Sequence, residues 1–163
     1  QMGFGNGSAE LWNNLGLSCF YAQQYDVTLH CFSTALRLAD DETMADVWYN
    51  ISQVAVGLGD TGLAYQALKI AISIDPNHAE AYNNLGVLEL RKGNIEQARS
   101  SFLTAQQLGP HLHDPYYNSA LLMFKLGEFQ DSYKLVIQAL RIFPDHEDSK
   151  ELKKSLDELF SGM

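Results

Sequence analysis

An internal repeat constrains the fold of this chain more than any other feature. An aromatic residue recurs at spacings of 36, 34 and 34, followed after four residues by a small residue and after twenty-three by an alanine. The aromatics are Trp12, Trp48, Tyr82 and Tyr116; the small residues are Gly16, Ser52, Gly86 and Ala120; the alanines are Ala35, Ala71, Ala105 and Ala139. Self-similarity at a fixed period is the signature of repeat architectures, so the sequence predicts four copies of one supersecondary unit.

Each unit reads as two helices separated by a break. In the third unit, Ile95, Ala98, Phe102 and Ala105 are spaced by three and four residues, which is the period of one helix face. The preceding break, RKGN at 91–94, contains a glycine suited to a left-handed helix end. The sequence therefore predicts an all-α chain of four helical hairpins, each burying its apolar face against its neighbours.

The pattern resembles the tetratricopeptide repeat, in which an aromatic, Leu-Gly, Ala-x-x-x-Phe and a closing proline recur in each unit. The third unit matches the signature almost fully, in Tyr82, Leu85, Gly86, Ala98, Phe102 and Pro110. The first unit departs from it, with Thr28 in place of alanine and no closing proline. The resemblance implies a right-handed superhelical solenoid that scaffolds protein interactions.

The repeat frame sets the expected boundaries. Residues 1–8 are expected to be a junction or the tail of a preceding repeat, followed by repeats at 9–44 (with a two-residue insertion), 45–78, 79–112 and 113–146, and a capping helix at 147–160. Asn77 and Glu80 are expected to form a capping box at the start of the third repeat. The terminal helix carries an apolar stripe typical of a cap, in Leu152, Leu156, Leu159 and Phe160. No comparable cap precedes Ala9, which suggests a missing region or a docked subunit.

Charge narrows the choice of partners. The net charge is −9, from 20 acidic and 11 basic residues. Phosphate recognition needs clustered lysine and arginine, so nucleic acid is not an expected partner. Residues 1–68 hold one basic residue, Arg37, against seven acids. That stretch is either part of a protein interface or an acidic solvated surface.

No apolar run approaches the ~20 residues of a membrane span, so no membrane insertion is expected.

Helical geometry predicts which side chains line a partner-binding groove. With the aromatic of each first helix as origin and about 100° per residue, four sets of residues lie on the opposite side. In the resembled family these first helices line the concave surface. The acidic row is Glu10, Asp46, Glu80 and Asp114; the asparagine row is Asn14, Asn50, Asn84 and Asn118; the apolar row is Leu17, Gln53, Val87 and Leu121; the mixed row is Tyr21, Gly57, Arg91 and Lys125.

The asparagine row is the most specific of the four. Asparagine in a helix interior costs about 0.5 kcal/mol relative to alanine, and its amide both donates and accepts. Either the row contacts the main chain of a partner, or the amides bond within the stack or to water. By the same helical angles, Asn83 lies on the flank of its helix.

Because Arg91 and Lys125 are the only bases in these rows, a clamp for a peptide carboxylate is not predicted. A helical or basic segment suits the groove better.

No catalytic, cofactor or metal site is predicted. GLGDTG at 57–62 matches a dinucleotide motif, but it lies in a helix–helix turn with no preceding strand. Four of the five histidines lie between hairpins and are expected to be solvated. Cys19 and Cys31 are expected to be buried free thiols.

Several stretches are more specific than the repeat pattern, among them NNLGLSCFYAQQYDVTL and NHAEAYNNLGVLELRKGNIEQAR. They resemble the tetratricopeptide subunits of the BBSome, a coat that carries membrane proteins into and out of cilia. The resemblance implies other BBSome subunits as partners, and the cytoplasm, basal body, centriolar satellites and cilium as locations. The alternative is a free-standing, co-chaperone-like receptor that binds extended or helical peptide segments in its groove.

Overall fold

The computed structural model describes residues 2–162, with side chains from Ser8 onwards. Within this range all regular elements are α-helices, which confirms the predicted all-α class. They are α1 (Met2–Tyr21), α2 (Tyr25–Leu38), α3 (Asp41–Gly57), α4 (Thr61–Ile74), α5 (Ala79–Arg91), α6 (Ile95–Leu108), α7 (Asp114–Lys125), α8 (Phe129–Ile142) and α9 (Glu147–Ser161). Helix α1 includes residues 2–8, whose glycines lower helix propensity and had indicated a junction.

The chain divides into two compact units, Gln1–Ala81 and Tyr82–Met163. The first unit holds the hairpins α1/α2 and α3/α4. The second holds most of α5 with α6, the hairpin α7/α8, and α9. Each hairpin is one repeat of the sequence pattern.

The four hairpin turns share one backbone conformation. The residue eleven positions after each repeat aromatic has a positive φ: 63° at Gln23, 80° at Gly59, 84° at Gly93 and 81° at Gly127. Glycine adopts this left-handed region without steric cost, and glutamine does not. The first turn therefore has the same shape as the others but a less suitable residue.

Two glycines permit close packing between the helices of a hairpin. A Cβ added at Gly16 would lie 2.8 Å from the ring of Phe32, and one added at Gly86 would lie 2.5 Å from the ring of Phe102. Both distances are shorter than real carbon–carbon contacts. At these positions the small residues of the repeat let the two helices approach closely.

Each unit has its own core. In the first unit Phe32, Ala35, Val47 and Val54 form a buried cluster. In the second, one cluster surrounds Phe102 and another joins Ala120 and Val136 to Leu152 and Leu156 of α9. The alanines of the repeat, Ala35, Ala71, Ala105 and Ala139, are all fully buried.

The terminal helix α9 uses part of its predicted stripe. Leu152 and Leu156 are buried, while Leu159 is 39% exposed. In the last turn it is Phe160 that packs inward, with its ring centroid 5.7 Å from that of Tyr133. Including Leu159 in the buried stripe was therefore wrong.

Candidate protein-binding surface

The acidic row is exposed in both units. Glu10, Asp46, Glu80 and Asp114 are all solvent-accessible. Asp46 and Asp114 also contact histidines: Asp46 Oδ1 lies 2.9 Å from Nε2 of His78, and Asp114 Oδ1 lies 3.1 Å from Nε2 of His113. The row is thus accessible to a partner, and three of its carboxylates already lie near an imidazole, since Oε1 of Glu80 is 3.9 Å from Nδ1 of His78.

His78 is a structural residue at the start of α5. It is 7% exposed, and its Nδ1 accepts a hydrogen bond of 3.1 Å from the backbone N–H of Ala81. The expectation of a solvated loop histidine was wrong here, and so was the capping box: His78 caps the helix, whereas the backbone N–H of Asn77 donates to Asp75. The imidazole caps because it accepts at Nδ1 while its Nε2–H faces Asp46.

The surroundings of His78 act on its charge in opposite directions. Burial lowers its pKa, but the hydrogen bond and charge of Asp46, with the charges of Glu80 and Asp75, outweigh that effect. The pKa of His78 is therefore raised above its ordinary value.

The asparagine row is partly engaged inside each unit. Asn50 Nδ2 donates to Oδ1 of Asn13 over 3.0 Å, and Asn118 Nδ2 donates to Oδ1 of Asn83 over 3.0 Å. Asn13 and Asn83 are buried, at 5% and 7% exposed. For Asn50 and Asn118 the structure thus supports hydrogen bonding within the stack. Asn83, which the helical angles put on a flank of α5, is buried and accepts the bond that links α7 to α5.

The other two asparagines of the row differ from each other. Asn14 is exposed, whereas Asn84 is half-buried and accepts a hydrogen bond of 3.3 Å from Nδ2 of Asn83. Contact of this row with the main chain of a partner stays a prediction, for which Asn14 is the most accessible member.

The residue directly after each repeat aromatic alternates between asparagine and tyrosine, so the pattern repeats every two hairpins. An alignment of single hairpins did not reveal this alternation. They are Asn13, Tyr49, Asn83 and Tyr117 in turn. The asparagines accept the amide bonds just described. The tyrosines instead contact histidines, with ring centroids 5.0 Å apart for Tyr49 and His78 and 5.1 Å for Tyr117 and His146. The recurrence of the asparagine doublet at 13–14 and 83–84 was the signal for a repeat of two hairpins.

The apolar row contributes to the cores as well as to the surface. Leu17, Val87 and Leu121 are half-buried and pack against the core clusters of their own units, and Gln53 is half-buried. In the mixed row Tyr21 is 69% exposed, and Gly57, Arg91 and Lys125 are exposed too. The mixed row is therefore more available to a partner than the apolar row.

Comparison with known proteins identifies the class of helical protein to which this chain belongs. The tetratricopeptide repeat family matches residues 49–113. A solved structure of PilF from Pseudomonas aeruginosa superposes with a TM-score of 0.80 at 18% identity, covering 92% of this chain and 68% of that one. The first tetratricopeptide domain of Spaghetti (RPAP3), bound to an HSP90 peptide, superposes with a TM-score of 0.69 at 16% identity, covering 75% of this chain and 99% of that one. This chain is a member of the tetratricopeptide repeat family, a class of helical scaffolds for protein interaction.

Its similarity to particular proteins is more specific. It is 52% identical to human tetratricopeptide repeat protein 8 over 128 residues, which are 78% of this chain and 24% of that protein. The Caenorhabditis elegans protein of that name is 38% identical over all 163 residues, covering 32% of its length. BBSome complex member BBS4 of Xenopus tropicalis is 32% identical over 124 residues, 74% of this chain and 23% of that protein. The chain thus spans less than a third of each relative. Among the described residues, no helix has the length and apolar character needed to cross a membrane.

Proposed function

We propose that this chain is a non-catalytic scaffold in the BBSome, with other BBSome subunits as its partners. The observation that carries the proposal is the 52% identity to human tetratricopeptide repeat protein 8, together with the similarity to BBS4, a BBSome complex member. The corresponding locations are the cytoplasm, basal body, centriolar satellites and cilium.

The surface of the first unit supports a role as a subunit. Of the fifteen large apolar side chains that are exposed among the described residues, ten lie between Leu11 and Leu63. In the same region Arg37 is the only basic side chain up to residue 68. Interface cores are depleted of charge and enriched in large apolar side chains, so this unit has the composition of a contact surface.

We propose that an apolar depression in the first unit is part of that contact surface. It encloses about 180 Å³ and lies between α2, α3 and α4. At its edge Leu29 is 68% exposed, Leu58 58% and Leu63 44%. Asp60, which caps α4 by accepting a bond from the N–H of Leu63, adds a negative charge beside it. We expect a helix with apolar and basic side chains from a neighbouring subunit to pack here.

Affinity purification of the tagged chain from ciliated cells, followed by mass spectrometry, tests the assignment. The wild-type chain should recover the other BBSome subunits, and Leu29→Asp with Leu58→Asp should recover at least tenfold less. Leu103→Asp with Leu126→Asp, which changes two exposed leucines of the second unit, is the matched control. Recovery of chaperones without coat subunits would overturn the proposal. Unchanged recovery by the first variant would place the contact elsewhere on the chain.

A peptide receptor is the second candidate. The feature that favours it is the exposed acidic row, with Glu10, Asp46 and Glu80 in the first unit, which suits a basic segment. Fluorescence anisotropy with a short basic peptide separates the candidates. A receptor should bind it with micromolar affinity and lose affinity in Glu80→Gln, whereas a scaffold subunit should show no specific binding. Size-exclusion chromatography adds a second distinction, since a receptor should be a monodisperse monomer.

A further inference from the structure

Three side chains that could bind a metal ion lie close together at the starts of α7 and α9. One potential ligand atom from each of His113, Asp114 and His146 lies within 4.8 Å of the others. The two imidazole rings meet edge to face, with centroids 4.7 Å apart. Nitrogen and carboxylate oxygen are ligands that zinc prefers, and three protein ligands leave a fourth position for water.

The hydrogen bond of His146 leaves a nitrogen for such an ion. Its Nδ1 lies 2.6 Å from Oγ of Ser149, which is fully buried in the first turn of α9. A histidine that binds a metal commonly uses its other ring nitrogen in such a bond, which sets the ring orientation. With Nδ1 engaged, Nε2 of His146 is the nitrogen available for coordination.

The remaining two ligands can move the short distance that coordination requires. Ligand atoms about 2.1 Å from a tetrahedral zinc ion lie about 3.4 Å apart. The side chain of Asp114 is 61% exposed and that of His113 is 27% exposed, and their facing atoms are already 3.1 Å apart. Rotation of these side chains can close the remaining gap without moving a helix.

We propose that His113, Asp114 and His146 form a zinc-binding site that joins the starts of α7 and α9. The sequence pattern did not predict a metal site, because His113 and His146 are distant in the sequence and occupy different connections. Hairpin stacking brings the two connections together. Bound zinc would stabilise the packing of α9 on the fourth hairpin, because an ion that binds only the folded state shifts the unfolding equilibrium.

The first unit contains a natural comparison. Asp46 and His78 correspond to Asp114 and His146, two hairpins earlier in the chain. The position corresponding to His113 is Ala45, which is fully buried. There Nδ1 of His78 is engaged by Ala81 and Nε2 by Asp46, so neither nitrogen is left for a metal. The additional histidine in the second unit is the feature that makes a three-ligand site.

Titration of the purified, untagged chain with Zn²⁺ by calorimetry tests the site, with Co²⁺ absorption reporting ligand type and geometry. We expect one ion per chain with micromolar or tighter affinity, and a tetrahedral Co²⁺ spectrum without thiolate bands. His113→Ala and Asp114→Asn should weaken binding at least ~100-fold. His111→Ala and Asp145→Asn change other ligand-type side chains of the same connections and should bind as the wild type does.

Several outcomes would overturn the assignment. One is the absence of stoichiometric binding by the wild-type chain. Another is a Co²⁺ spectrum with thiolate absorption, which would place the ion at Cys19 and Cys31. A third is wild-type affinity in Asp114→Asn and His113→Ala. Circular dichroism of each variant establishes that it is folded, and the exposed Asp114 provides a change that leaves the core intact.

Discussion

Asn118 donates a hydrogen bond from Nδ2 to Oδ1 of Asn83 over 3.0 Å, and the same bond joins Asn50 to Asn13 in the other unit. Each bond links the first helices of two consecutive hairpins through an acceptor that is almost fully buried. Asparagine is a poor helix former, so its presence here is explained by tertiary hydrogen bonding rather than by local structure.

Removing the buried acceptor should destabilise the second unit. Asn83→Ala deprives Asn118 of its partner and should lower the free energy of unfolding by about 1–2 kcal/mol, measured by urea denaturation. Asn14→Ala is the matched control: Asn14 is exposed, so alanine should be neutral or stabilising by about 0.5 kcal/mol. In a double-mutant cycle Asn83→Ala and Asn118→Ala should couple by about 1 kcal/mol. Additive effects would show that the bond contributes nothing.

One substitution in the first hairpin turn should increase the stability of the chain. Gln23 has a φ of 63°, where glycine occupies the three equivalent positions. Gln23→Gly should raise the free energy of unfolding by about 0.5–1 kcal/mol, because the steric cost of the left-handed conformation exceeds the added entropy of glycine.

Replacing glycine at an equivalent turn position is the control for Gln23→Gly. Gly93→Ala should destabilise by about 1 kcal/mol. A Cβ there meets no atom within 4 Å, so only backbone strain is involved. If Gln23→Gly were destabilising, the cost assigned to that turn would be incorrect.

Gly86 should tolerate no side chain. A Cβ there would lie 2.5 Å from the buried ring of Phe102, so Gly86→Ala should cost about 1–3 kcal/mol through overpacking. Gly62→Ala is the control, because its Cβ would lie 3.7 Å from Asp60 and alanine favours the helix by up to about 1 kcal/mol. Thermal unfolding of both variants measures the difference, and equal melting temperatures would contradict the close approach.

The stability of the first unit should depend on the protonation of His78. The folded state raises the pKa of His78, so it binds this proton more tightly than the unfolded chain does. The contribution is complete below the unfolded pKa of about 6.5 and is lost as pH rises through the folded pKa. Its size should stay below about 1 kcal/mol, because the side chain of Asp46 is 55% exposed. Protonation at Nδ1 also removes the hydrogen bond that this atom accepts from the N–H of Ala81, which offsets part of the gain.

Urea denaturation between pH 6 and pH 8 measures this effect. Asp46→Asn keeps a polar side chain at the hydrogen bond but removes the negative charge, so the decrease in stability with rising pH should become smaller. Asp26→Asn, which changes another exposed acid of the same unit, should leave the decrease unchanged. An identical pH dependence in wild type and Asp46→Asn would show that the histidine charge is not linked to folding.

Features that depend on local interactions could be predicted from the sequence, and features that depend on contacts between hairpins could not. Periodic aromatics, small residues and alanines predicted the hairpins because each has a fixed place in a local pattern of helix and turn. The buried alanines and the glycine turns belong to this group. The role of His78 could not be predicted in this way, because its ring caps α5 and also contacts Asp46 in the preceding hairpin. Spacing within a helix gives the direction of a side chain but not the partner it meets.

The asparagine row shows the same limit at the candidate site. Helical angles identified four equivalent amides, but they could not distinguish a partner from the neighbouring hairpin. The distinction depends on whether the adjacent first helix offers a buried acceptor, as Asn13 does to Asn50 and Asn83 does to Asn118.

By itself, the sequence determined the all-α class, the hairpin unit and the positions that must be small, because these follow from periodicity and from the conformational preferences of single residues. Only the tertiary structure decided which polar side chains pair within the stack and which remain exposed. It also decided that His113 and His146, on separate connections, meet beside Asp114. The physical reason is that stacking brings different positions of neighbouring helices within hydrogen-bonding distance, and the sequence does not encode that distance locally.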